Sequence, residues 1–222
     1  MNNSVTNTAR LLWAGLRALL VLTVVTGVIY PLAITGVAQG LFPGKANGSE
    51  IKSDGKVVGS SLIGQSYNLP LKKGQETPDA DLKWFQGRPA NGLGTNSVNT
   101  QYKLILSGAT NRSGDNKDLI DWVIAAKKAV IKDNSVNGYT VKPSDVPADA
   151  VTSSGSGLDP DISPKYADIQ VHRIAEKNGL SVARVQKLVD EHTEGRTLGF
   201  MGEPRVNVLE LNIALKELVA KS

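Results

Sequence analysis

Serine beside glycine is the arrangement in this sequence that most invites a reading of nucleophilic chemistry. Gly59-Ser60-Ser61-Leu62-Ile63-Gly64 comes nearest. A nucleophile elbow has the form G-x-S-x-G, in which a strained turn presents Oγ. Here one residue too many intervenes. Ser153-Ser154-Gly155-Ser156-Gly157 reads as a flexible loop. A serine–lysine pair distant in sequence leaves no spacing signal, so an anchored hydrolase stays open as a rival reading, as does an anchored module that binds small solutes. His172 and His192 are the two histidines. They sit on different predicted helices and form no metal-ligand pattern, and Glu191-His192 does not extend to H-E-x-x-H. The chain has no Cys, which excludes disulfides, thiolate zinc sites, iron–sulfur clusters, a cysteine nucleophile and a lipoprotein anchor. There is no G-x-x-x-x-G-K-[ST] phosphate loop, and no G-x-G-x-x-G follows a predicted strand. Asp159 and Asp161 lie in a doubly proline-braced turn, where carboxylates hold turns or start helices more often than they bind a cation.

With so little chemistry in motifs, the elements carry the argument. Of the 25 basic side chains only Arg10 and Arg17 precede position 45, and no acid does. The remaining 178 residues hold the other 23 basic side chains and all 21 acidic ones, so that part is near neutral. It lacks the basic stripe that nucleic-acid binding requires. Ala18 to Gly44 is a run of 27 residues without a charge. As a helix it would span roughly 40 Å, more than the ~30 Å hydrocarbon core of a bilayer. Trp13 and Phe42 lie on either side of its densest apolar part, Ala18 to Val25, where interfacial aromatics sit. A core helix would need a polar stripe that this run lacks. A cleaved signal peptide has a shorter apolar stretch, although Gly36-Val37-Ala38 loosely fits a cleavage site. The expected organisation is a short leader (1–17), a transmembrane helix (18–44) and a soluble domain (45–222). Pro31 should kink the span. Gly36 and Gly40 form a small-xxx-small pair that admits the backbone of another helix. Lys and Arg counts on the two flanks do not decide orientation. Long domains translocate regardless of nearby charge, so the expectation is N-terminus inside and residues 45–222 outside.

The soluble part reads as strands first and helices after, an α+β domain. Lys56-Val57-Val58 and Ser61-Leu62-Ile63 are short strand candidates, and residues 87–117 read as loop with one short element at Tyr102–Leu106. A helix is predicted from Asp118 to Lys132, with Leu119, Trp122, Val123, Ala126 and Val130 on one face. Residues 133–164 return to loop. Ser163-Pro164 starts a helix that Gly179 stops, Ser181 caps the next, and Asn207 with Glu210 resembles a capping box before the last.

Several segments recur as a set. Tyr30-Pro31, Ala46-Asn47-Gly48-Ser49, Gly59-Ser60-Ser61-Leu62-Ile63-Gly64-Gln65 and Phe85-Gln86-Gly87-Arg88-Pro89 come in that order. Ser153 to Pro160, Ile162-Ser163-Pro164 and Val206-Asn207-Val208-Leu209-Glu210-Leu211-Asn212 follow. Together they resemble the C subunit of the bacterial high-affinity potassium-transporting P-type ATPase, the Kdp system, over nearly the whole chain. One segment departs from that pattern. Ser107-Gly108-Ala109-Thr110-Asn111 matches a Ser-Gly-Gly-Ser-Asn type run, but Asn116 is followed by Lys117 where proline is usual. The first helix of the domain should therefore start less firmly.

The resemblance implies a non-catalytic accessory subunit of a potassium uptake pump in the cell membrane. The implied partners are a channel-like potassium-binding subunit, a P-type ATPase subunit and a small membrane subunit. ATP and potassium would be handled by those partners, with no cofactor intrinsic to this chain. The resemblance also implies a stabiliser of assembly and a catalytic chaperone that raises the ATP affinity of the ATPase subunit, with a nucleotide contact proposed for it. The residues themselves offer no phosphate cradle for that contact. The expected functional residues are Pro31, Gly36 and Gly40 for membrane-helix packing, and Trp84, Phe85, Arg88, Asp159 and Arg205 as interface residues beside fixed turns.

Overall fold

A computed structural model of the chain describes residues 3–75, 78–90, 107–108 and 110–222. The expected element at Tyr102–Leu106 lies outside the described residues. The chain forms two compact units, Met1–Glu50 and Ile51–Ser222.

The first unit is a long apolar helix in three stretches: α1 (Asn3–Val24), a π-helical turn (Val25–Ile29) and α2 (Tyr30–Leu41). The leader is thus helical as well. From Ser4 to Leu41 the helix has 38 residues, and none of its most apolar window is buried. The disturbance expected of Pro31 takes the form of the π turn just before it. Proline cannot donate to the carbonyl four residues back and its ring collides with that carbonyl. The wider turn relieves both problems. Tyr30 donates its N–H to Val25 O, five residues back, and the Thr26 hydroxyl donates to Leu22 O at 2.7 Å. In a bilayer no water would satisfy these carbonyls, so such local pairing is what makes the irregularity tolerable. After Phe42 a short turn, α3 (Pro43–Ala46), leads out, and Asn47 Nδ2 donates to Pro43 O at 2.8 Å.

The second unit is α+β. β1 (Glu50–Ser53) and β2 (Lys56–Ser60) form a two-stranded sheet. Asp54 and Gly55 connect them, both at positive φ (52° and 74°), the geometry of a tight hairpin turn. Ser61-Leu62-Ile63, expected as a second strand, is a turn after β2. The helices follow: α4 (Lys117–Asn134), α5 (Pro164–Asn178), α6 (Val182–Glu191) and α7 (Val208–Ala220). Between and beside them run three short strands, β3 (Asp161–Ile162), β4 (Thr193–Glu194) and β5 (Arg205–Asn207). They form an antiparallel sheet with β5 central, Ile162 opposite Val206 and Glu194 opposite Arg205.

Each helix start follows from its cap. Ser163 Oγ accepts from Tyr166 N–H, Ser181 Oγ from Arg184 N–H and Asn207 Oδ1 from Glu210 N–H. α4 begins without the usual proline because Asn116 Oδ1 accepts from Leu119 N–H at 3.1 Å, so the start expected to be weak is capped. Gly179, at φ 66°, ends α5 in the left-handed conformation. α5 is the central helix and packs against both α4 and α6. Eight of its fifteen residues are buried, among them Ile169, Val171 and Ile174. Burying an aliphatic side chain of this size stabilises by about 1.5–3 kcal/mol. Phe85, Ile162, Val185, Val206, Leu211 and Leu215 complete the core around it.

Candidate functional site

Two polar constellations organise the second unit, and the residues expected at interfaces divide between them. The first surrounds Trp84-Phe85-Gln86. This segment belongs to no sheet, yet its backbone is paired like a strand. Asn212 on α7 accepts the Phe85 N–H at Oδ1 (2.9 Å) and donates Nδ2–H to Phe85 O (3.0 Å). Gln170 on α5 does the same for Gln86, at 2.7 and 3.0 Å. Arg173, one turn further along α5, donates Nε–H to Asn134 Oδ1 (2.8 Å) and Nη2–H to Gln170 Oε1 (2.6 Å). Its Nη1 reaches Trp84 O at 3.0 Å and also Leu82 O. Asn134, Gln170, Arg173 and Asn212 are all buried. Burial pulls the Arg173 guanidinium down to about 10, partly offset by Tyr166 and by Asp133 and Asp81. It stays charged at neutral pH, with carbonyl and amide oxygens as its nearest partners. Burial likewise pushes the neighbouring Tyr166 hydroxyl up to about 12.

The network corrects one sequence expectation. Phe85 is 0% exposed, so its side chain is a piece of the core and offers no surface to a partner. Trp84 is half-buried, with its ring 6.2 Å from that of Tyr67. Gln170, Arg173, Asn134 and Asn212 escaped the sequence reading. The signal was present for Asn212, an amide placed four residues after Val208 and three before Leu215 on an otherwise apolar helix face.

The second constellation lies along β3 and β5. Arg88 donates Nη1–H to Asp159 Oδ2 at 2.9 Å and Nη2–H to Ser153 O at 3.3 Å. Asp159 uses its other oxygen to accept Asp161 N–H at 3.0 Å, so this carboxylate holds the turn, as its setting in the proline-braced segment indicated. Arg205 sits 3.3 Å from Asp161 and 2.7 Å from Glu194, its opposite residue on β4. Asn207 Nδ2 donates to Ser61 O (2.9 Å) and to Asp161 Oδ1 (3.2 Å). Burial raises the Asp161 carboxyl above the usual carboxylate range, aided by Asp159 and opposed chiefly by Arg205. Gly64 lets the loop close on this strap. Its N–H donates to Leu158 O at 2.8 Å, and a Cβ there would stand 2.6 Å from Asp159 O. The structure therefore brings Arg88, Asp159 and Arg205 to one shallow groove of about 480 Å³. Their charges are matched to each other rather than left to face a ligand. His172 stacks on Tyr139 with centroids 3.9 Å apart, and His192 Nδ1 lies 2.8 Å from Leu188 O at the end of α6. Among the described residues no group of three or more His, Asp or Glu is placed to hold a metal ion. In the helical unit Pro31 is at the start of α2, and a Cβ at Gly36 or Gly40 would meet nothing within 4 Å.

Residues 12–217 match the family model described as KdpC, the c chain of a K+-transporting ATPase. The chain belongs to the KdpC family. It is 86% identical over 222 residues to the potassium-transporting ATPase KdpC subunit of Streptomyces avermitilis, covering all of both chains. It is 79% identical to that of Streptomyces coelicolor, covering 99% of this chain and 98% of the relative. It is 46% identical to that of Caldanaerobacter subterraneus, covering 91% and 92%. KdpC membership and the one long apolar helix found among the described residues together assign the chain to a membrane, as a subunit of the K+-transporting ATPase.

Proposed function

We propose that the chain is a non-catalytic accessory subunit whose membrane helix and folded domain hold other pump subunits together. ATP hydrolysis and potassium passage then belong to those partners: a P-type ATPase subunit, a channel-like potassium-binding subunit and a small membrane subunit. The observation that carries this reading is the state of the charged side chains in and beside the groove. Arg88, Asp159, Asp161, Arg205 and Glu194 pair with one another, as groups that maintain a shape do. A phosphate site would instead leave arginine donors or a run of backbone N–H groups converging on open space. The supporting action on the ATPase subunit, a raised apparent ATP affinity, is accordingly exerted through assembly rather than through nucleotide held by this chain. The long helix crosses the membrane once, N-terminus inside, and the Ile51–Ser222 unit stands outside the cell.

Co-purification tests this reading. The full chain, tagged at its C-terminus, is extracted in mild detergent from potassium-starved cells that make the other subunits. A P-type ATPase subunit and a channel-like subunit should accompany it in fixed ratio. Recovery of the chain alone from such cells would refute the proposal.

A further inference from the structure

The connection between β4 and β5 ends in an exposed apolar tip. Thr197 and Met201 exchange both backbone hydrogen bonds, N–H to O at 2.9 Å one way and 3.0 Å the other. This pins a three-residue turn, Leu198-Gly199-Phe200, at the apex. Leu198 is 78% exposed, Phe200 70% and Met201 44%. The apex is also strained: Leu198 is at φ 54°, beside Gly199 at 81°. Leucine is disfavoured in the left-handed region, and no packing of its own side chain rewards it here. A loop tuned only for solubility and stability would carry glycine or asparagine at that position and polar residues beside it.

The surroundings of the tip say what covers it. Arg196 pairs with Glu203 at 2.8 Å directly below the turn, and Arg205 with Glu194 at 2.7 Å below that. Both arginines of the rim are therefore paired with carboxylates, Arg196 with Glu203 and Arg205 with Glu194 and Asp161. Wedges that enter anionic lipid are surrounded by unpaired Lys and Arg. An apolar centre inside a polar rim of paired charges is instead the anatomy of a protein–protein contact, and large apolar side chains on a rigid turn are its anchors.

We infer that Leu198, Phe200 and Met201 form a preorganised plug that seats in an apolar socket on another subunit of the K+-transporting ATPase. This rests on the accessory-subunit reading above. The tip is fixed before docking, so its ordering costs little at the moment of contact, and the strain at Leu198 persists because the bound geometry requires it.

The test uses the full chain in native membranes with a photo-reactive side chain at the apex, Phe200→p-benzoylphenylalanine. The same group at the exposed Lys187 on α6 serves as control. In parallel, the L198S/F200S variant is co-purified with the complex. The expected result is a cross-link from position 200 to another pump subunit. Partner recovery with L198S/F200S should fall about tenfold, with the unfolding midpoint of the chain unchanged. Cross-links to lipid alone, to a second copy of the chain alone, or no more than at position 187 would overturn the inference while the complex remains intact. So would wild-type recovery with L198S/F200S. If the unmodified chain brings no other subunit, the accessory-subunit reading fails first and the socket with it. That outcome is distinct from the others because the complex itself is then missing.

Discussion

Asn212 and Phe85, 127 positions apart, are joined by two hydrogen bonds in which one side-chain amide pairs both backbone groups of the other residue. The amide does the work of a neighbouring strand. It lets a segment without sheet partners place its aromatic side chain at the centre of the core, because buried backbone groups must be paired somewhere. Asn212→Ala should leave one buried N–H and one buried C=O unsatisfied and cost about 2–4 kcal/mol. Urea unfolding of the full chain in detergent checks this. A loss within 0.5 kcal/mol would mean that the amide is dispensable.

Arg173 should tolerate even a conservative exchange badly. Its planar fork serves Asn134, Gln170 and the Trp84 carbonyl at once, whereas a lysine ammonium is a compact point charge with no such geometry. Arg173→Lys is expected to destabilise by about 2–4 kcal/mol, because freed acceptors and a poorly paired buried charge both cost. Retained stability in the same unfolding measurement would count against the network.

The Asp161 carboxyl has a raised folded-state pKa, so its protonated form is favoured by folding. The sign follows: its contribution to stability is fully present below the unfolded value of 3.8 and is lost as pH rises through the raised folded value. Asp161→Asn should remove this loss and flatten the stability profile just above pH 3.8. Carboxyl titration followed by NMR should find Asp161 above the ordinary Asp range. A value at or below that range would show that Arg205 outweighs burial.

In the helical unit, Gly36→Leu with Gly40→Leu should leave the folded domain's unfolding midpoint unchanged and abolish recovery of partner subunits. Small residues one turn apart matter through the close approach of another helix. Undiminished recovery would remove these glycines from the assembly surface.

The chain has no cysteine, so a single one introduced at Ser222 gives a clean report on sidedness. With the Ile51–Ser222 unit outside the cell, a membrane-impermeant maleimide should label it in intact cells. Labelling only after lysis would reverse the proposed orientation.

The helices were legible in the sequence because their signals are local. Ser163, Ser181 and Asn207 cap where their types indicate, Gly179 stops α5 through its own left-handed backbone, and the uncharged run from Ala18 reads as a membrane helix by length alone. The polar network was not legible, because its partners are far apart in the chain. Nothing near Phe85 says that Asn212 will pair its backbone, and an aromatic beside a turn looks the same whether it faces a partner or the core. The charged groove lay between. Arg88, Asp159 and Arg205 stood out individually, but their common location depends on three strands of two or three residues, too short to leave a periodic trace.

The π turn at Val25–Ile29 has a consequence for how the membrane helix meets its surroundings. A turn closed over five residues takes in one more residue than a turn closed over four, so everything after it lags in bearing by about one residue's step, roughly 100°. The side of α2 that shows Gly36 and Gly40 is therefore out of phase with the stripe on α1 that ordinary spacing would extend to meet it. The two halves of a single crossing look in different directions. A substitution scan along the helix should show a break of phase between Val24 and Tyr30, as if two short helices with separate neighbours had been spliced end to end.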